Sequence, residues 1–234
     1  MTVAPRVVAI HQPNFLPWLG YFDKIAHADV FVLLDDVQFS KGSYTNRVKI
    51  LLDGEGRWLT VPVDRAGGSS RPISEVRIRE ADPWREKALS TIRHAYARAP
   101  HFDRAFAAVE PLLMERTDRL AAYNEGAIRE LARRLLPAAP ELVRSSALGV
   151  GGRATERLVE IVKALDGDAY LGGGGAGGYQ EDEKFERAGI ELLRQDFRHP
   201  DYPQASEGPV HGLSVLDALM SCGFEGTAAM LGGD

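Results

Sequence analysis

The sequence is poor in cysteine and in long apolar runs, and each shortage excludes a class of protein. Cys222 is the only cysteine in the 234 residues, so no disulfide can form within the chain and no oxidising compartment is needed. The apolar run at residues 7–10 is too short for a signal peptide or a membrane-spanning helix, and no later run reaches that length. We therefore expect a cytoplasmic protein without membrane insertion.

Excess positive charge and the common catalytic motifs are lacking as well. The formal net charge is -5 and the pI is about 5.7, which opposes binding to a phosphate backbone and makes nucleic acid an unexpected partner. No histidine or cysteine pair has the spacing of a zinc site, and neither Gly-x-Ser-x-Gly nor Gly-Lys-Ser/Thr occurs. We expect neither a dedicated metal site nor covalent catalysis through Cys222.

The pattern of apolar residues predicts an α/β fold. Residues 7–10 and 30–34 have the composition of buried strands, and residues 18–28 between them that of a helix, which makes a βαβ unit and favours a parallel sheet. Residues 46–52 and 57–63 flank an Asp-Gly turn and predict a hairpin.

The rest of the chain contains a helical stretch followed by a return to α/β character. Apolar residues recur at helical spacing from 83 to 136, with breaks predicted at Ala99-Pro100 and Glu110-Pro111. Further strands are predicted at 142–143, 169–171 and 191–194, a helix at 155–165, and a closing helix from 215. We predict one domain over residues 1–234: a Rossmann-like parallel sheet with residues 83–136 as a helical insertion.

Polar residues follow the first two predicted strands where each strand ends. His11 and Gln12 follow the first strand, and Asp35, Asp36 and Gln38 follow the second, at the edge where open α/β sheets bind ligands. The histidine is a candidate general acid or base, and the alternative is that it caps a neighbouring strand. The carboxylates suit a substrate amine or Mg²⁺; because adjacent strand residues point to opposite faces, one of them is expected to cap instead.

Three further segments carry candidate binding residues. Tyr44, Asn46 and Arg47 offer amide and cationic donors, and an arginine can grip a carboxylate or phosphate with two hydrogen bonds. The backbone amides of a glycine run after the predicted strand 169–171, at Gly173 and Gly174, could cradle a phosphate, although a loop closing over the site is an equal alternative. His199 and Gln204 lie in a proline-rich segment that either faces the first histidine or forms a packed turn.

Several longer motifs resemble one protein family over nearly the whole chain. They are Ile10-His11-Gln12-Pro13, Leu16-Pro17-Trp18-Leu19-Gly20-Tyr21, Asp35-Asp36-Val37-Gln38-Phe39, Asn46-Arg47, Trp58-Leu59-Thr60-Val61-Pro62-Val63, Tyr170-Leu171 with Gly173, Ala176 and Tyr179, Tyr202-Pro203-Gln204, and Leu213-Ser214-Val215-Leu216-Asp217. The chain thereby resembles the WbqC-like family of bacterial proteins. The resemblance implies an accessory enzyme of O-antigen, other surface-glycan or specialised-metabolite biosynthesis, and adds Tyr179 to the candidate substrate-binding residues. Gly172 departs from the family pattern, in which serine is more common.

The first βαβ unit alone is also similar to pantothenate synthetase and its nucleotidyltransferase relatives. Those enzymes activate a carboxylate with ATP and pass it to an amine. Trp18 and Tyr21 stand here near the positions of their paired loop histidines, so the groups that stabilise phosphate are missing. The similarity therefore supports the fold more than the use of ATP.

The candidate residues together predict a transferase that passes an acyl or aminoacyl group to an amine of a sugar or small metabolite. In this hypothesis His11 is the base, Asp36 and Gln38 hold the amine, and Asn46 with Arg47 binds the anionic end of a substrate. The sequence does not identify a cofactor; an acyl thioester is one possible donor, which would allow a carrier protein as a partner.

Two other functions remain open. One is an amide ligase or nucleotidyltransferase that uses ATP and Mg²⁺ at Asp35 or Asp36. The other is a non-catalytic subunit of a glycan-assembly complex.

Overall fold

The computed structural model describes residues 4–64, 71–80, 83–173 and 181–232. Short 3₁₀ turns cover Ile73–Glu75 and Ser145–Ala147. Within the described ranges the strands and α-helices follow one another as β1 (Val7–His11), α1 (Leu19–Ala26), β2 (Val30–Leu33), β3 (Arg47–Leu52), β4 (Glu55–Thr60), α2 (Trp84–Tyr96), α3 (Phe102–Met114), α4 (Leu120–Leu135), β5 (Glu141–Arg144), α5 (Ala154–Ala164), β6 (Ala169–Gly172), α6 (Asp182–Arg187), β7 (Glu191–Arg194) and α7 (Val215–Ala228).

Five of these strands form one parallel sheet in the order β5-β2-β1-β6-β7. With the hairpin left out, the strands count 3-2-1-4-5 along the sheet, which is the Rossmann order. The predicted α/β class is therefore confirmed. The predicted hairpin is also present: β3 and β4 pair antiparallel around Asp53 and Gly54, which both have positive φ as a tight two-residue turn requires.

Each face of the sheet is covered by its own helices because successive strand side chains point to opposite sides. Val8 and Ile10 of β1 belong to the core shared with α5 and α6. Ala9 of β1 and Phe31 of β2 belong to the other and larger core, which includes α1, α2, α3, α4 and α7. This alternation explains why the inner strands β2, β1 and β6 are apolar at almost every position, whereas the edge strands β5 and β7 have a charged residue at each end.

The stretch between β4 and β5 contains α2, α3 and α4, and one predicted boundary in it is wrong. The break at Ala99-Pro100 is present, but Pro111 lies inside α3 rather than ending it. Proline removes one backbone N–H, and the carbonyl that loses this partner belongs to Ala107 on the exposed face, where water can bind it. Burial of Val109 and Leu113 on the opposite face offsets the loss.

A fully buried carboxylate joins the hairpin, the helical layer and a long loop. Asp217 of α7 accepts hydrogen bonds from the hydroxyls of Tyr96 at 3.0 Å and Tyr202 at 2.8 Å, and from Gln204 Nε2 at 2.8 Å. The Tyr96 hydroxyl in turn accepts from the backbone N–H of Leu51 in β3, at 2.9 Å. Burial raises the pKa of Asp217, although these hydrogen bonds oppose the shift.

Replacing Tyr96 by Phe tests this network. Tyr96→Phe leaves the Leu51 N–H and one Asp217 oxygen without a partner in the core, so we expect the free energy of unfolding to fall by about 1–3 kcal/mol. Tyr44→Phe removes a hydroxyl from a residue that is 43% exposed and should change stability by less than about 0.5 kcal/mol. Urea unfolding of both variants measures the difference, and equal effects would contradict the network's role.

Candidate functional site

The sheet has its topological switch point at β1, because the chain builds outward from this strand in both directions. Residue pairing between β1 and β6 ends at Ala9 and Leu171, so the two strands part beyond that point. His11 ends β1 here, and Gly173 follows the end of β6. The crevice outside these strand ends is where such a fold ordinarily binds ligands.

His11 is held as a neutral imidazole. Its Nδ1 lies 3.1 Å from the carbonyl oxygen of Gln12, which can only accept, so Nδ1 carries the hydrogen and Nε2 remains an acceptor. Its ring packs against the ring of Tyr21 with centroids 4.8 Å apart. Burial, assisted by the positive charge of Lys24, lowers the pKa of His11 from 6.5 to about 4. Because a general base works best with a pKa near the working pH, His11 suits hydrogen bonding better than the predicted base role.

Lys24 is a member of this region that the sequence analysis did not identify. The side chain comes from α1, is 2% exposed, and donates from Nζ to the carbonyl oxygen of Ile10 at 2.9 Å. Burial lowers the pKa of Lys24 to about 8. The sequence signal that could have identified Lys24 is its position on a largely apolar helix, three residues after Tyr21.

The two aspartates after β2 are bound within the protein. Asp35 accepts hydrogen bonds from Ser146 N at 3.0 Å and Ser146 Oγ at 2.9 Å, and so caps the 3₁₀ turn Ser145–Ala147. Asp36 accepts from Ser145 Oγ at 2.6 Å and forms an ion pair with Arg157 of α5. The capping alternative thus describes Asp35.

This donor set does not fit Mg²⁺. The hydroxyl and amide donors already occupy both oxygens of Asp35, and the guanidinium on Asp36 would repel a cation. Over the described ranges, no group of three or more His, Cys, Asp or Glu side chains is placed to hold a metal ion.

A cleft of about 430 Å³ opens beside the hairpin, and we call it the basic cleft. It is bounded by the segment before β3, the end of β4 and the chain around residues 71–79. Among the described residues that line it, three cations accompany one carboxylate, so this part of the lining is positive although the whole chain has a net charge of -5. The polar lining residues are Lys41, Asn46, Thr60, Asp64, Arg71 and Arg79.

Two buried polar atoms of the basic cleft have no hydrogen-bond partner among the residues that the structure describes. Asn46 is 5% exposed and donates from Nδ2 to the carbonyl oxygen of Val61 at 3.2 Å, but its Oδ1 accepts nothing. Arg71 donates from Nη2 to the carbonyl oxygen of Asp64 at 2.8 Å, while its Nε is unpartnered. Leaving a buried polar group unsatisfied costs about 1–3 kcal/mol, so both atoms call for water or a ligand.

Hydrogen bonds connect the basic cleft to the loop that follows β1. Thr45 Oγ1 donates to Gln12 Oε1 at 3.3 Å, and Thr45 directly precedes Asn46. Asn124 of α4 is fully buried and donates from Nδ2 to the carbonyl oxygens of both Pro13 and Thr45, at 2.8 and 2.7 Å. Asn124 is a further residue that the sequence analysis missed, because an isolated Asn on a predicted helix carries no signal of a contact 111 residues away.

Arg47 and Tyr44 lie on the hairpin surface beside the basic cleft. The guanidinium of Arg47 lies 4.0 Å from the centroid of the Trp58 ring, and the Tyr44 ring is 5.7 Å from that ring. Arg47 therefore stacks on an aromatic ring instead of lining the cleft with Asn46. Gln38 is exposed and forms an isolated backbone bridge with Pro72.

The candidates His199 and Gln204 lie away from the basic cleft, in the loop between β7 and α7. Burial and neighbouring His211 lower the pKa of His199, whose ring contacts have centroids 5.2 to 5.3 Å apart and are made with Trp18, Phe197 and His211. Gln204 accepts from Val210 N and donates to Asp217, as expected of a packed turn. Gly174 and Tyr179 lie outside the described residues.

A larger cleft of about 740 Å³ lies between α1 and the ends of β6 and β7. Gln195 donates there to Asp23 Oδ2 at 2.7 Å, and His27 Nδ1 lies 3.6 Å from the same carboxylate. Arg194 is paired with Asp182 at 2.5 Å. Because its charges are largely neutralised by each other, this cleft has less to offer a charged ligand than the basic cleft.

The low pKa of His11 predicts a loss of stability in acid. A histidine whose pKa is lowered by folding takes up a proton first in the unfolded chain, so its contribution is present above pH 6.5 and lost as the pH falls towards 4. His11→Gln should lessen that loss by up to about 3 kcal/mol, as judged by urea unfolding at several pH values. An NMR titration midpoint of His11 near 6.5 would contradict the buried neutral state.

Comparison with known proteins agrees with the resemblance noted in the sequence. A protein of Mycobacterium tuberculosis (strain ATCC 25618 / H37Rv), described as uncharacterized, is 30% identical over 222 residues, which cover 94% of this chain and 95% of the relative. No solved structure is significantly similar to the chain. Residues 12–229 match the model of the WbqC-like protein family. The chain therefore belongs to the WbqC-like family.

Proposed function

We propose that this protein is a transferase that passes an acyl or aminoacyl group to an amine of a sugar or small metabolite, and that the basic cleft binds its anionic substrate. The proposal rests mainly on Asn46 Oδ1, a buried acceptor without a hydrogen-bond partner among the described residues. It lies in the same cleft as the cations Lys41, Arg71 and Arg79. An acceptor atom next to cations is complementary to a ligand that carries both an N–H donor and a negative group. Membership of the WbqC-like family supports a place in surface-glycan or specialised-metabolite biosynthesis.

The roles of the cleft residues follow from their donors and acceptors. Lys41 and Arg71 hold the carboxylate or phosphate of the substrate, and Arg is suited to grip either with two hydrogen bonds. Asn46 Oδ1 accepts the N–H of the amine and orients its lone pair. The Nδ2 bond of Asn46 to Val61 keeps the amide from turning, so the acceptor is held ready before the substrate arrives.

Aminolysis of a thioester agrees with the neutral state of His11. The amine nitrogen attacks the acyl carbon, the C–N bond forms, the C–S bond breaks, and the amine proton ends on the departing thiol. The neutral amine supplies its own electron pair and the thiolate takes up the proton. No protein base with a pKa near 7 is required.

An ATP-dependent amide ligase or nucleotidyltransferase is the second candidate, favoured by the Rossmann strand order and by the same cations. Lys41, Arg71 and Arg79 would then hold phosphate groups of the nucleotide. The Asp35 and Asp36 pair does not supply a Mg²⁺ site for it in the arrangement described above. A non-catalytic subunit of a glycan-assembly complex is the third, with no observation of its own in favour.

Thermal-shift measurements separate these candidates. We expect acetyl-CoA and other acyl thioesters to raise the unfolding midpoint, since a ligand at 100 times its Kd stabilises the folded state by about 2.7 kcal/mol. A shift with ATP and Mg²⁺ alone would favour the second candidate. No shift with any of these ligands would contradict both enzymatic proposals.

The variants Lys41→Gln and Arg71→Gln test the basic cleft itself. Each should raise the KM for the anionic substrate by about tenfold while changing kcat less, because the lost charge pair contributes to binding of both ground and transition states. Lys87→Gln, which removes an exposed lysine of α2, is the matched control and should leave KM unchanged. Equal KM values for all three variants would show that the anion binds elsewhere.

A further inference from the structure

Two aromatic side chains stand on the protein surface next to the basic cleft. In the part of the chain that the structure describes, Tyr44 and Trp58 are the large hydrophobic residues left exposed, at 43% and 42%. Their ring centroids are 5.7 Å apart. We call this pair the aromatic platform.

The Trp58 ring of the aromatic platform packs against the side chain of Arg47. The Arg47 guanidinium packs 4.0 Å from the Trp58 ring centroid, and Gly42 lies next to the same guanidinium. A Cβ at position 42 would come within 3.3 Å of Arg47 Cζ, and the φ of +72° there also favours glycine. The indole is therefore fixed before any ligand binds, which reduces the entropy lost on binding.

The platform is also cationic. Lys49 Nζ lies 5.4 Å from the Trp58 ring centroid, beside the Arg47 guanidinium. Neither cation forms an ion pair with any residue in the described ranges. An anion would thus meet positive charge at the platform as well as in the cleft.

The β-ladder makes the platform continuous with the basic cleft. Arg47 pairs with Thr60 and Lys49 with Trp58, so positions 58 and 60 of β4 lie on the same face of the hairpin. Thr60 lines the cleft. Two residues along a strand span about 7 Å, so a ring stacked on Trp58 lies about one ring's length from the mouth of the cleft.

We propose that the aromatic platform is a subsite that stacks a ring of the substrate whose anionic group enters the basic cleft. The substrate class is thereby narrowed to a ring that bears a phosphate, either a sugar phosphate or a nucleotide. This inference rests on the proposed function of the cleft. Two side chains are too few for a protein docking surface, because a stable interface buries about 800 Å² on each partner.

Calorimetric titration with three phosphates tests the platform: adenosine monophosphate, glucose 6-phosphate and the ringless glycerol 3-phosphate. Trp58→Ala should weaken binding of at least one ring phosphate by about tenfold, since an aromatic stack contributes about that factor, and should leave glycerol 3-phosphate unchanged. Trp58→Phe should retain most of the affinity. Arg57→Ala is the matched control: it changes the neighbouring residue, which is exposed on the opposite face of β4, and should change neither.

Each outcome decides a different point. Loss for glucose 6-phosphate alone identifies a sugar ring, and loss for adenosine monophosphate alone identifies a base. If Trp58→Ala binds every phosphate as the wild type does, the platform is overturned while the cleft stands. If Trp58→Ala weakens glycerol 3-phosphate equally, Trp58 only supports the cleft and the subsite is overturned. If the wild-type protein binds none of the three, both the platform and the basic cleft are overturned.

Discussion

The buried amide of Asn124 is the constraint on which the geometry of the candidate site depends. A single nitrogen donates to the carbonyls of Pro13 and Thr45, so these two backbone segments are held within a few ångströms of each other. One segment leaves the sheet after β1 and the other leads into the hairpin, while Asn124 belongs to the helical layer. Loss of this amide would leave two buried carbonyls unsatisfied, at a cost of about 1–3 kcal/mol each. The sheet, the hairpin and the helical layer are therefore joined at Asn124. Its hydrogen bond to Thr45 fixes the position of the next residue, Asn46.

Charge is distributed unevenly over this acidic protein, and an excess of positive charge lies in the candidate site, the basic cleft. On α4, Arg133 and Arg134 bind Glu130 and lower the pKa of that carboxyl to about 2. Among the described residues that line the basic cleft, the cations outnumber the carboxylates, so positive potential collects in a concave surface that also has apolar lining residues. Paired surface charges contribute little to ligand recognition, whereas such a cleft attracts anions from a distance.

Polar residues at the ends of the parallel strands have structural roles in this fold. Asp35 and Asp36 connect β2 to the turn after β5 and to α5, and so hold together the neighbouring strand ends of the sheet. His11 is neutral because burial penalises its charged form. We propose ligand binding instead at the segment before β3, where Asn46 Oδ1 has no partner within the described ranges.

The sequence by itself determined the apolar strands and their parallel arrangement, the positive-φ turn at Asp53 and Gly54 and the helix break before Pro100, because these depend on local backbone geometry and on the pattern of apolar residues. Its motifs also identified the family. It could also single out His11, the two aspartates and Asn46 as polar residues near strand ends. Only the tertiary structure decided what each of them does, because their partners are distant in sequence, as with Asp35 and Ser146, which are 111 residues apart. Burial likewise set the pKa of His11 and of Lys24, and stacking on Trp58 placed the Arg47 guanidinium outside the lining of the cleft that contains Asn46. Such properties depend on what surrounds a side chain, and no local pattern encodes those surroundings.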